Sequence, residues 1–452
     1  MFFKRRIEQQ LERWKASTTS KPLLIRGARQ TGKTTSVKKF AQNYRHSILL
    51  NFEKDTDIAW FNKFSDVATL TEALFLSNNI PFEAREHTLL FIDEIQESHK
   101  AIHLLRYFYE EIPELDVIAA GSLLEFAMKK VKSFPVGRVE FLYMYPLNFH
   151  EYLDAIGHNT ALEQLTKIPM EEFAHPVLLD LFNRYVIVGG MPEVVQRYIA
   201  KRSIADLPTV YESIWGTYQN DVEKYASNAT ERKVIKHIIN TAYLYLDQRI
   251  KFQNFGNSNY RSREVGEAMR NLDAAKIIRL IYPATDLEPP VRPNIRKAPR
   301  LQFLDTGIVN YSLGIQAEML TMPDLSKLYK GAVIPHMITQ ELISLNMIND
   351  RKPNFWVRDK KQASAEVDLL YTYRNKLIPI EIKSGNVGTL KSLHQFIERT
   401  DHPYAVRLYA GEFKIERAKT PGGTPYILMN LPYYLGTGIP GYIEYFVENY
   451  FL

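Results

Sequence analysis

The sequence contains no cysteine, which excludes disulfides, thiolate metal sites, iron–sulfur clusters and cysteine nucleophiles. No apolar run approaches the ~18 residues of a membrane-spanning helix; the most apolar stretches, such as Leu89–Ile92, have the length of a strand. The opening MFFKRRIEQQ lacks the apolar segment of a secretory signal. Low-complexity tracts and internal repeats are missing too. So is a strong charge excess: 57 Lys and Arg against 51 Asp and Glu leave +6, a balance that permits nucleic-acid binding without arguing for it. Together these absences lead us to expect a soluble, cytoplasmic protein with no membrane partner.

What is present is ordinary globular composition, 45% hydrophobic and 24% charged. The 452 residues are enough for about three domains of ~150. Strand-sized apolar runs (Leu23–Ile25, Ser47–Phe52, Leu89–Ile92, Val117–Ala120) alternate with longer amphipathic segments at the N-terminus. That pattern suits central strands of a parallel sheet with helices on both faces, although a buried helix segment looks similar. From about 160 to 250 the pattern turns helical and is punctuated by Gly189, Gly190 and Pro192. Asp286–Arg300, rich in Pro and Arg, reads as a linker or extended crossing segment. Strand-like runs return at Glu366–Tyr371 and Ile378–Ile382. The expected fold is α/β, with an N-terminal parallel-sheet core at 1–155, a mainly helical middle at 156–300 and a second α/β domain at 301–452.

The strongest chemical signal is GARQTGKT, Gly27 to Thr34, directly after the predicted strand Leu23–Ile25. It matches G-x-x-x-x-G-K-[ST], a phosphate-binding loop. Gly27 and Gly32 let the backbone curl so that successive amides converge on phosphate oxygens, and the following helix offers the same anion its positive end. Lys33 is placed to reach the β- and γ-phosphates, and the Thr34 hydroxyl to ligate Mg²⁺. Gly27, Ala28, Arg29, Gln30, Thr31, Gly32, Lys33, Thr34 and Thr35 are the expected nucleotide contacts.

About sixty residues on, TLLFIDE ends an apolar strand in two acids. Asp93 there suits Mg²⁺ through water, opposite Thr34, and Glu94 suits orienting and deprotonating an attacking water. A third strand, Val117–Ala120, leads into Ser122. A parallel sheet brings its end to the same edge as the loop, where the hydroxyl would meet the γ-phosphate or the water; a helix cap is the alternative.

With IAAGSLLEF (118–126), PVGRVEFLYMYPLNFHEYL (135–153), GGMPEVV (189–195), EVDLL (366–370) and PIEIKSG (379–385), these motifs make the chain resemble a family of bacterial and archaeal AAA-type ATPases that carry a C-terminal domain of unknown function. The resemblance implies ATP and ADP as ligands, with Ser122 in the sensor 1 role. Arg138, in the family's Gly-Arg stretch, would supply a guanidinium to the γ-phosphate, in cis or from a neighbouring subunit of a homo-oligomer; a structural salt bridge is the alternative. GGMPEVV reads as a close-packing turn.

Ser262–Pro283 reads as a helix and a strand, similar to a winged helix, with Arg261, Arg263 and Arg270 either facing DNA phosphates or forming a solvated face. Asp368 in EVDLLY and Glu381 with Lys383 in PIEIK resemble a restriction-endonuclease-like PD-(D/E)xK site, because residues two apart in a strand share a face. Such nucleases add an acid on the preceding helix. Near the start of GAVIPHMITQEL, where it is expected, this chain has Pro335, with Glu341 six positions later. The functional expectation is therefore Mg²⁺-dependent ATP hydrolysis that drives or gates change in the C-terminal domains. A nucleotide-loaded switch with slow turnover and an ATP-regulated, metal-dependent nuclease are the alternatives.

Overall fold

Leu23, Leu24 and Ile25 are apolar at consecutive positions, and the strand they form is buried on both faces. It is β1 (Leu23–Arg26) of a parallel sheet with β2 (His46–Asn51), β3 (Thr88–Asp93), β4 (Asp116–Gly121) and β5 (Glu140–Tyr143). The order is β2-β3-β4-β1-β5, and every neighbouring pair is parallel. Helices α1 (Ile7–Lys15), α2 (Lys33–Phe40), α3 (Asp55–Lys63), α4 (Val67–Ser77), α5 (His99–Glu111) and α6 (Leu124–Lys130) accompany it. Alternation along β1 separates two cores. Leu23 and Ile25 pack with Leu11, Trp14, Val37 and Phe40, while Leu24 packs with Phe61, Leu70 and Leu105. The four apolar runs expected as strands are strands; β5, hidden in an aromatic-rich stretch, is an additional one.

The computed structural model describes residues 2–17, 21–122, 124–130, 135, 137–226, 228–320, 325, 331–358, 365–383 and 390–452. These fall into two compact units. One holds Met1–Pro146 with Ala274–Lys276 and Asn346–Asp350; the other holds Leu147–Asp273, Ile277–Leu345 and Arg351–Leu452. Among the described residues no helix is long and apolar enough to cross a membrane.

The regular elements of the second unit described between Phe149 and Thr241 are helices. In it Gly189 has φ 75°, Gly190 N–H donates to Asp305 Oδ2 at 2.6 Å, and a Cβ on Gly190 would lie 2.0 Å from Leu147 O. Only glycine permits that approach, so the pair is a packing turn. A helix at Ser262–Ala274 precedes β6 (Ile278–Ile281), which pairs antiparallel with β8 (Arg300–Phe303). The remaining strands, β7 (Pro283–Ala284), β9 (Asn354–Val357), β10 (Glu366–Tyr373), β11 (Lys376–Ile382), β12 (Tyr404–Tyr409), β13 (Lys414–Lys419) and β14 (Pro425–Pro432), form one mixed sheet in the order β13-β14-β12-β11-β10-β9-β7. The protein is mixed α/β overall, with a P-loop-type α/β core at its N-terminus.

Candidate active site and a second carboxylate cluster

Gly27 closes β1 so near its neighbour that a Cβ would lie 2.2 Å from Met144 O. Gln30 and Gly32 then take left-handed backbone, φ 62° and 96°, which curls the loop into α2. No side chain caps α2, so its first amides face whatever anion the loop admits. Lys33 is buried and donates to Gly27 O at 3.1 Å and Ala28 O at 2.8 Å. Burial lowers its pKa to about 8, against the opposing pull of Glu94 and Asp93. An ammonium held out of water by its own loop's carbonyls is a cation ready to exchange them for phosphate oxygens.

Sheet order brings the other residues to this edge. β3 and β4 are parallel to β1, so their carboxyl ends deliver Asp93, Glu94 and Ser122 beside the loop. Thr34 Oγ1 donates to Asp93 Oδ2 at 2.7 Å. Burial raises the Asp93 pKa, and the Thr34 hydrogen bond pulls it back. Glu94 sits in left-handed backbone, φ 52°, a conformation that strains a residue with a Cβ, and accepts a hydrogen bond from Gln96 Nε2. The Ser122 hydroxyl is buried with no hydrogen-bond partner among the described residues.

This set fits a nucleotide with Mg²⁺. A hydroxyl and a carboxylate stand together as hard oxygen donors, the orphaned Ser122 hydroxyl lacks an acceptor that phosphate supplies, and the buried Lys33 ammonium has carbonyl contacts that phosphate oxygens can replace. Arg29 lies 3.6 Å from Glu53, the Thr31 hydroxyl bonds Ala28 O at 3.0 Å, and Thr35 is exposed.

Arg138 does not join this group within the chain. It precedes β5 and pairs with Glu110 Oε1 at 2.8 Å, near the end of α5. A helix that crosses from β3 to β4 ends at the amino edge of the sheet, so Arg138 stands at the far end of the strands from the phosphate loop.

In the second unit, Asp368 and Glu381 belong to the antiparallel neighbours β10 and β11. Asp368 Oδ2 accepts from Ile382 N–H at 2.8 Å, and Lys383 Nζ lies 2.6 Å from Glu381 Oε1. The sequence reading did not anticipate Arg300. This buried guanidinium donates through Nε to Glu366 Oε1 at 2.8 Å and through Nη2 to Asp368 Oδ1 at 3.1 Å, and lies 4.0 Å from Asp247. The expected linker therefore ends in a residue committed to the carboxylates. Burial raises the Glu381 pKa to about 8, with Asp368 adding to the shift, and that of Asp247 to about 7 against the pull of Arg300. Glu381 Oε2 is buried with no hydrogen-bond partner among the described residues.

Glu341 is engaged elsewhere: it accepts from Phe149 N–H at 3.1 Å and from the Tyr185 hydroxyl at 2.7 Å. Pro335 lies in the helix Val333–Ser344. Ser384 and Gly385 of the PIEIKSG stretch lie outside the described residues. Among the described residues no group of three or more His, Cys, Asp and Glu side chains is placed to hold a metal ion.

Residues 19–153 match an AAA domain. The match spans the phosphate loop, both acids and Ser122, and supports an AAA-type P-loop ATPase. Two further family models, each described as a domain of unknown function, match residues 179–319 and 330–433. No characterised protein matches the chain.

In the unit that holds the phosphate loop, three supports had not been expected from the sequence. Arg5 donates to Thr31 O at 2.9 Å and Tyr145 O at 2.7 Å, which ties the N-terminal segment to the loop. Gln96 holds Glu94, and a Cβ on Gly121 would lie 2.3 Å from Gln96 Oε1. Glu125 lies 3.9 Å from Arg26. Only Gln96 had a local signal, its fixed offset of two from Glu94.

Proposed function

We propose that the protein binds ATP at the phosphate loop and hydrolyses it with Mg²⁺, and that turnover gates the state of the later part of the chain. The observation that carries this reading is the meeting of Lys33, the Thr34–Asp93 pair, Glu94 and Ser122 at one edge of one sheet. Lys33 trades its two carbonyl contacts for β- and γ-phosphate oxygens. Gln96 fixes one oxygen of Glu94 and leaves the carboxylate oriented to take the proton of the attacking water. Ser122 gives its hydroxyl to the γ-phosphate or that water. Thr34 and, through water, Asp93 would hold Mg²⁺, which would supply positive charge against the negative charge that develops during transfer. The gating half of the reading is supported by Ala274–Lys276 and Asn346–Asp350, which come from the later chain and belong to the compact unit that holds the phosphate loop.

Steady-state phosphate release tests the reading. Lys33→Ala should lose about 10- to 100-fold in ATP affinity, the worth of a charge-assisted hydrogen bond. Glu94→Gln should bind ATP normally and lose about 10²–10⁴ in turnover. Wild-type turnover in Glu94→Gln refutes the assignment; tight ATP binding by a wild type with negligible release establishes the nucleotide-loaded switch instead.

For the C-terminal region we propose a nuclease-like domain that binds rather than cuts. The adjacency of Asp368, Glu381 and Lys383 supports the likeness. Arg300 carries the cation charge that a metal would bring, and Glu341 is spent on Phe149 and Tyr185; both weigh against cleavage. The helix Ser262–Ala274 with the β6–β8 pair supports a winged-helix-like unit. There Arg263 is paired with Glu267 at 3.1 Å, while Arg261 and Arg270 are exposed and suited to nucleic-acid phosphates.

A further inference from the structure

Lys276 follows the helix Ser262–Ala274, yet it belongs to the compact unit that holds the phosphate loop. Its backbone is left-handed, φ 64°, a region that residues with a side chain rarely adopt. The residue is 3% exposed, and its ammonium lies 3.1 Å from Glu125 Oε1 and 3.0 Å from Asp350 Oδ2. The Tyr143 ring is 5.1 Å away. A lysine buried on a strained backbone is kept there by its partners.

Of those partners, Glu125 leads to the nucleotide site. It stands in the first turn of α6, three residues after Ser122. Its Oε1, the oxygen that faces Lys276, is also 3.9 Å from Arg26 Nη1, and Arg26 is the residue before Gly27. Glu125 thus bridges the strand that feeds the phosphate loop and the helix that follows Ser122. Lys276 is the nearer of these two cations.

We infer that Lys276 is a positioning residue for the nucleotide site: through Glu125 it holds the first turn of α6, and with it the buried Ser122 hydroxyl, against the phosphate loop. The inference rests on the nucleotide reading above. Under that reading the Ser122 hydroxyl serves the γ-phosphate or the attacking water, so Lys276 matters for turnover and little for ADP. A residue supplied from position 276 also makes the rate at this site depend on how the later chain is held.

The test uses the full chain as wild type, Lys276→Met, Lys276→Arg, Glu125→Gln and Asp350→Asn. Phosphate release gives kcat and KM, and calorimetry gives ADP affinity. Lys276→Met and Glu125→Gln should each lower kcat about tenfold or more, since a displacement of about 1 Å can cost about a hundredfold. ADP affinity should stay within about threefold. Lys276→Arg should recover most of the rate, Asp350→Asn should lower kcat less than Glu125→Gln does because Asp350 holds Lys276 without belonging to α6, and the Lys276→Met/Glu125→Gln pair should be no worse than either alone.

Wild-type kcat in Lys276→Met overturns the inference, as does a loss of rate that merely tracks the folded fraction or that falls in step with ADP affinity. If Lys276→Met fails to fold, Lys276→Arg and Glu125→Gln decide the question by the same measures. A wild type that binds no nucleotide refutes the nucleotide reading itself and this inference with it. An active wild type with unaffected variants refutes the inference alone.

Discussion

Replacing Arg300 by methionine keeps most of the side-chain volume and removes the charge that Asp247, Glu366 and Asp368 share. Burial works against the charge of Arg300, and the three carboxylates more than restore it. The guanidinium is 9% exposed and also lies 4.6 Å from the Phe355 ring. Removing one member of such a buried group leaves its partners uncompensated, at about 3–5 kcal/mol. The Ile382 amide, bonded to Asp368 Oδ2 at 2.8 Å, reports on the site directly. Its hydrogen exchange at pH 8 should be about 140- to 3,700-fold faster than in wild type at the same pH, taking tenfold as about 1.4 kcal/mol.

The pH dependence has a definite sign. Asp247 and Glu381 have folded pKa values of about 7 and about 8, above their usual values, so the folded state binds the extra protons. Stability is therefore fully present below the unfolded pKa and falls as pH rises through the folded one. Without Arg300 the cluster repels itself more strongly, so the variant's deficit should shrink by more than about half at pH 5, where protons replace the guanidinium. A deficit below about 1 kcal/mol at pH 8, or one equal at both pH values, would show that the carboxylates do not depend on Arg300.

Nucleotide affinity should fall as pH rises through about 8, because Lys33, lowered to about 8 by burial, must be charged to hold phosphate; calorimetry in two buffers of different ionisation heat should show proton uptake on ATP binding near that pH. Arg138→Ala should leave kcat unchanged in dilute protein, since Arg138 is paired with Glu110. A kcat that rises with protein concentration in wild type and not in the variant would instead assign the residue to a neighbouring subunit's site. Repurified protein should leave plasmid intact with Mg²⁺ or Mn²⁺, with or without ATP, and cleavage that disappears in Asp368→Ala would overturn the binding-only reading.

Features that depend on short stretches of chain are legible before any fold is known. The phosphate loop lies within eight consecutive residues after its strand, and Asp93 and Glu94 follow the apolar run that becomes β3, so local spacing was enough to name them. Glu381 and Lys383 share a face by strand periodicity alone. Tertiary structure decided everything that joins distant segments. Only the parallel pairing of β5 with β1 puts Arg138 at the opposite edge from the loop, whereas Ser122 at the loop's own edge was already expected from a parallel sheet. Nothing in a Pro- and Arg-rich stretch distinguishes Arg300 from its neighbours Arg292 and Arg296 until β8 carries it to Asp368. Likewise Lys276 meets Glu125, and Arg5 meets Thr31, across separations that leave no periodic trace. The physical reason is that backbone geometry and hydrophobic alternation act between near neighbours in sequence. A buried charge instead takes its partners from whatever the packed core brings within hydrogen-bonding reach.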